Sequence, residues 1–568
     1  MTQLSVGLRP RRFVLSAIAS ALALLAFAPS LSAQDWGFPR QPRFFQFFPG
    51  NLVVSRSVYD NRASNVTVGE QLPPNCTSAN CVSAVADGKF PYIFNNAPVD
   101  GSFGITSRIF LDQITPWGFP INSLEVPNSL MHGIRSDSDQ LVTSFSSKSE
   151  LEVHLSTDGN YLSFGGYVAP VNALDVSNAN TPGVVDPTNP DPGTYYRAAA
   201  RVDRWGNFDF VETNAYSGDN QRAVILNNTT GNPVFYAAGN AGNGSNPQPA
   251  GVVLGAGAQI FDFVEQREEK QAPGTPTPLG SFSVTLLGDK ADKVGKDDNF
   301  RGITVFNNVV YYTKGSGGNG VNTVYFVDTT GEACPKGVGL PSTSATLPTT
   351  PFTALNPATG TPGNMCILAG FPTLSNKNGN PVNFPFGLWF ANANTLYVAD
   401  EGDGTTTYDA TTNTYTDDAG QTNAGLEKWV FNSSAGNWEL AYTLTNGLNL
   451  GIPYTVRGLP SGNNSATGLP WSPATDGLRN LVGKVNGDGT VTIWAITSTV
   501  SGNGDTGADP DKLVVITDNL ANTTASAAAS EQFYTLRTAG YGEVLRGVSF
   551  TPGTGSDDRG FGWGFTGW

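Results

Sequence analysis

Leu545-Arg546-Gly547-Val548-Ser549-Phe550 reads as the opening strand of a sheet, yet no partner strand follows it. Near the other end, Asn51-Leu52-Val53-Val54-Ser55 and Ile105-Thr106-Ser107-Arg108-Ile109-Phe110-Leu111 are strands that lack an opening strand of their own. Pairing the orphan segment with these strands closes a ring and hides the free edges that an open sheet would expose. The predicted fold is therefore all-β, a single β-propeller of antiparallel strands whose two chain ends share one sheet.

The same opening recurs inside the chain. Phe300-Arg301-Gly302-Ile303-Thr304-Val305-Phe306 turns at Asn307-Asn308 into Val309-Val310-Tyr311-Tyr312, and Arg222-Ala223-Val224-Ile225-Leu226 leads to Val234-Phe235-Tyr236-Ala237-Ala238. Phe386-Gly387-Leu388-Trp389-Phe390 and Val456-Arg457-Gly458-Leu459 look like two more. Leu151, Val153 and Leu155 alternate before an Asp158-Gly159 turn, a compact hairpin signal. With the shared sheet, these openings give about six blades. Small residues suit the crowded innermost strands, where backbones approach closely. Arg222, Arg301, Arg457 and Arg546 would then recur near the channel mouth, where they either hold an anion or bond to a neighbouring blade. Bonding between blades is the simpler expectation, because repeat geometry alone brings equivalent residues together.

Composition agrees. The 568 residues include 66 Gly and 38 Pro, with 14% charged and 11% aromatic residues, a mix suited to short strands and tight turns. A net charge of −15 excludes nucleic acid as a partner, since phosphate binding needs a basic face. Arg9, Arg11 and Arg12 precede an apolar run from Phe13 to Ala28, and Ser30, Ser32 and Ala33 follow. The run is shorter than the ~20 residues that span a bilayer. Residues 1–33 are thus expected to be a signal peptide, leaving 34–568 as one exported domain, periplasmic or extracellular, without a transmembrane anchor. Export permits disulfides, and the economical pairing is Cys76–Cys81 and Cys334–Cys366. A zinc site is the alternative, but histidines at ligand spacing are missing.

Pro385-Phe386-Gly387-Leu388-Trp389-Phe390, followed by Thr395-Leu396-Tyr397-Val398-Ala399-Asp400, resembles an NHL-type propeller repeat and is similar to blades of gluconolactonase-like six-bladed propellers. The resemblance covers Pro385 to Gly404 and implies the fold; members of these groups bind proteins, RNA or small substrates. The metal-binding carboxylate pattern of the lactonase-like enzymes is not recognisable in this chain. The mature chain as a whole also resembles secreted bacterial propeller proteins with an N-terminal Leu-Val-Val-Ser-Arg segment, a likeness that carries no activity with it.

Chemistry-bearing residues are few. The only histidines are His132 and His154, and no G-x-S-x-G elbow lies beside either. Asp400, Glu401 and Asp403 gather three carboxylates after a strand, with Asp417-Asp418 shortly beyond, which makes calcium the candidate cofactor there. Turn chemistry accounts for the same residues without a metal. Trp389, Trp429, Trp438, Trp471 and Trp494 offer either sugar-stacking surfaces or propeller core. The leading expectation is a non-catalytic module that binds an extracellular protein or glycan. The second is a propeller hydrolase or lyase acting on carbohydrate or lactone, with carboxylate and calcium assistance.

Overall fold

The computed structural model describes residues 45–555 apart from internal stretches, the longest being 183–192, 241–256, 270–279 and 350–364. The leader expected over residues 1–33 lies outside the described residues, as do Cys76 and His132.

Alternation and turn chemistry produce six sheets of four or five strands among the described residues. Blade one runs outward from Glu543–Phe550 through Leu52–Val58 and Thr106–Ile114 to Pro120–Glu125. The ring closes as the sequence predicts: Leu52 pairs with Phe550 and Val54 with Val548, antiparallel, while the other edge of Leu52–Val58 pairs with Thr106–Ile114. Blades two to six have inner strands His154–Leu155, Gln221–Asn227, Asn299–Phe306, Pro385–Asn392 and Ala474–Val485. Each inner strand lies against that of the next blade, and the sixth returns to the first. The fold is a six-bladed β-propeller.

Local chemistry explains the blade hairpins. Asn307 and Asn308 both adopt left-handed backbone, φ 47° and 61°, as a two-residue hairpin turn requires, and Asn tolerates that region well. Between blades, Phe306 stacks on Phe390 at 4.5 Å and Trp494 meets Phe550 edge-on at 5.7 Å. Such pairs add about 0.5–1.5 kcal/mol beyond the area they bury. The small residues at the openings do what crowding demands. A Cβ on Gly302 would fall 2.2 Å from the carbonyl oxygen of Phe386, one blade on. Any side chain there would force the blades apart.

One opening is corrected. Val456-Arg457-Gly458-Leu459 is not an inner strand; Leu459 N donates to Val456 O in a turn, Gly458 has φ +99°, and Arg457 is exposed. Blade six instead opens at Ala474–Val485, where register shifts between Thr475 and Leu478 and between Leu478 and Leu481 mark irregular pairing around Arg479. Cys334 and Cys366 are joined, Cα atoms 5.9 Å apart, fastening a loop to the outer part of blade four. Cys81 is also disulfide-bonded. Among the described residues no helix is long and apolar enough to cross a membrane.

Candidate functional site: the axial channel

The six inner strands enclose a channel with two chemically distinct halves. Their N-terminal halves carry Arg222, Arg301, Arg479 and Arg546 from blades three, four, six and one, all buried. Arg479 stands where Arg457 was expected. Most of their bonds run between blades. Arg222 Nη1 donates to Phe300 O at 2.9 Å and to Asn299 Oδ1. Arg546 Nη2 donates to Gly507 O at 2.9 Å and to Phe145 O. Arg301 and Arg479 converge on one carboxylate, Glu401, at 3.2 and 3.5 Å.

Charge crowding marks this half. Burial, then the neighbouring Arg301, brings Arg222 down to about 9; burial, then Arg479, brings Arg546 down to about 10. Burial opposes ionisation of Glu401, yet Arg301, Lys148, Arg479 and Arg222 together hold it below the usual carboxylate range. Lys148 is drawn upward by Glu401, but burial and the two arginines leave its ammonium below the ordinary lysine range. Lys148 is nonetheless solvent-exposed, whereas Glu401 and the arginines around it are buried.

The other half is a cavity of about 850 Å³ at the C-terminal ends of the inner strands. Val153, Ile225, Leu388, Leu481, Val548 and Phe550 contribute to its wall, with the Asn307–Asn308 turn at its edge. Trp389 is half-buried there. Its indole lies flat on the inner strand of blade six, because Gly483 has no side chain; a Cβ would sit 2.4 Å from the ring. Trp429, Trp438, Trp471 and Trp494 are buried core.

Glu152 and His154 connect the halves. His154 lines the cavity, and its Nε2 lies 3.0 Å from Glu152 Oε2. Asn480 Nδ2 donates to the same oxygen at 3.3 Å, and Asn480 Oδ1 accepts from Val548 N at 2.6 Å. Burial raises the Glu152 carboxyl despite His154, Asn480 and the charge of Arg301. Sequence alone left His154 indistinguishable from an exposed strand residue. The missing fact was that this strand is the innermost of its blade, so that Val153, His154 and Leu155 all line the cavity.

The expected carboxylate group of Asp400, Glu401 and Asp403 does not gather. Asp400 accepts from Phe384 N at 2.6 Å and Gly402 N at 2.9 Å within its own blade, and Glu401 enters the arginine cluster. Asp403 alone turns outward, to meet Asp418 and Asp476. Successive residues leaving a strand point to different sides, which separates what the sequence sets side by side.

No family model matches the chain, and no curated protein matches it. Among solved structures, a thermostable family-43 glycoside hydrolase aligns at 10% identity and TM-score 0.26, over 72% of this chain and 96% of its own. The NanB sialidase from Streptococcus pneumoniae aligns at 11% identity and TM-score 0.15, over 92% of this chain and 56% of its own. The chain thus spans little more than half of that sialidase. At these scores neither likeness bears on activity; the fold rests on sheet order and ring closure.

Proposed function

We propose that this is an exported binding propeller whose axial cavity receives part of a glycan. The carrying observation is the cavity of about 850 Å³, edged by the half-buried Trp389 and holding His154 at its polar end. Ligand sites are typically mostly apolar cavities of ~300–1,000 Å³ with a few placed polar groups. An indole face suits the C–H face of a sugar, and His154, Ser156 and Thr157 suit its hydroxyls. Among the described residues, those lining the cavity include no carboxylate. That favours binding over glycoside hydrolysis, which requires two carboxyl groups roughly 5–10 Å apart across the sugar. The leader over residues 1–33 and the Cys334–Cys366 disulfide support an exported location. The NHL-like blade at Pro385–Asp400 supports recognition through one ring face.

A glycan array followed by tryptophan-fluorescence titration of each hit tests this reading. Hits are expected to weaken about tenfold or more in Trp389→Ala and in Thr229→Trp, which places a bulky ring at the cavity edge. Unchanged affinity in both variants, or release of shortened glycan products, overturns it.

A further inference from the structure

Three carboxylates from separate parts of the chain meet between blades five and six. Asp403 follows the strand Thr395–Asp400, Asp418 lies in the short helix Thr416–Gly420, and Asp476 belongs to the inner strand of blade six. One oxygen from each lies within 4.8 Å of the others. Asp418 and Asp476 are buried and Asp403 is exposed, so the group has a solvent side.

Acidic residues gathered at a loop are commonplace; Asp418 makes this group different. It is fully buried, and neither of its carboxylate oxygens accepts a hydrogen bond. Among the described residues no arginine or lysine forms an ion pair with any of the three aspartates. What reaches them is weaker: Gln421 Nε2 donates to Asp476 Oδ1 at 2.8 Å and to Asp403 Oδ1 at 3.2 Å, and Gly404 N donates to Asp476 Oδ2 at 3.0 Å. Gly402, with φ +81°, lets the loop wrap this closely, since a Cβ would lie 2.1 Å from Asp476 Oδ1. A buried carboxylate normally has a counter-charge, hydrogen-bond donors or a metal. Asp418 has no counter-charge, and the side chain that meets its carboxyl is a second carboxyl, that of Asp476.

We infer that Asp403, Asp418 and Asp476 bind a calcium ion that fastens the blade-five loop to the inner strand of blade six. Calcium takes oxygen ligands at about 2.3–2.6 Å, so two on opposite sides of the ion stand roughly 4.6–5.2 Å apart. Three oxygens within 4.8 Å therefore fit one coordination sphere. Irregular geometry and the open side suit calcium, which completes its shell with water, better than magnesium, which demands near-octahedral order. The calcium site is independent of glycan binding in the axial cavity.

The test is calorimetric titration of the chelator-treated mature protein with calcium chloride, alongside melting with calcium or magnesium. Calcium is expected to bind at one site with a dissociation constant between about 10⁻⁶ and 10⁻³ M, and magnesium at least about tenfold more weakly. Asp476→Asn should abolish the calcium-dependent rise in melting temperature. Asp418→Asn should do the same while melting no lower than the wild type without calcium, because it removes a buried carboxyl that has no basic partner. Gln421→Glu adds an anionic oxygen and should tighten binding about tenfold. Absence of a wild-type calcium response up to about 10 mM overturns the site and means that Asp418 and Asp476 share a proton instead. A calcium response that survives both Asp→Asn changes also overturns it.

Discussion

Arg537 Nη1 lies 2.8 Å from Asp112 Oδ2, an ion pair between the outer strand of blade six and the third strand of blade one. Arg56 approaches the same buried carboxylate at 2.6 Å from the neighbouring strand, and Ser123 donates to it at 2.5 Å. Burial works against ionisation of Asp112, but the two guanidinium groups hold it down at about 2. The seam of the ring is therefore locked by charge as well as by the strand ladder.

Removing that carboxylate takes the shared buried anion from both arginines, leaving Arg56 its second ion pair, to Glu543 at 2.6 Å. Asp112→Asn is expected to cost about 3–5 kcal/mol, measured by urea unfolding. A loss below about 1 kcal/mol would mean that the seam is held by the ladder alone.

Blades five and six share another such pair, Lys428 and Asp518, both without solvent exposure and 2.8 Å apart. Tyr442 and Tyr397 also donate to Asp518. Lys428→Met alone should destabilise by about 3–5 kcal/mol, because it strands the carboxylate. Lys428→Met with Asp518→Leu should recover part of that loss, and a double-mutant cycle in denaturant reads the coupling.

Stability should fall as the solution becomes alkaline. Burial raises Asp505, Asp509 and Asp511 to about 7 each, against an ordinary value of 3.8. The folded state holds these protons more tightly than the unfolded chain, so their contribution is complete below about 4 and is lost as pH rises through about 7. Asp112 acts in the opposite direction, its contribution being lost as pH falls from about 4 through 2. Melting temperature should therefore peak on the acidic side of neutrality, and Asp509→Asn should raise stability at pH 8 by roughly 1–3 kcal/mol while changing little at pH 5. A profile flat from pH 5 to 8 would count against buried neutral aspartates.

Gly483→Ala probes the cavity without touching its polar groups. The new methyl must displace the Trp389 indole, so tryptophan emission should change and glycan affinity fall, at a stability cost of about 1–3 kcal/mol from overpacking. Unaltered emission would mean that the ring does not rest on blade six.

Ring closure was readable in Leu545–Phe550 because a lone alternating strand demands a partner, and the pattern of segments lacking an opening names it. Arg457 looks in sequence like an inner-strand arginine because an Arg-Gly pair suits a turn equally well; only the positive φ of Gly458 separates the cases, and φ is set by the surrounding chain. Arg479 precedes Asn rather than Gly and breaks the motif, while irregular pairing brings it into the cluster. The carboxylates were legible as a composition and not as a site, because Asp476 belongs to the next blade and only the fold brings it to Asp403 and Asp418. His154 needed knowledge that its strand is the innermost of its blade.

The seam has a mechanical corollary. Leu52 faces Phe550, so the rung of the closing ladder nearest both chain ends is the same rung. Tension applied between the segment before Leu52 and the segment after Phe550 would load that ladder one rung at a time, as a zipper, instead of shearing all rungs together. A propeller stretched between two attachment points at its ends would open at modest force, whereas one tethered by a single end would never feel that load.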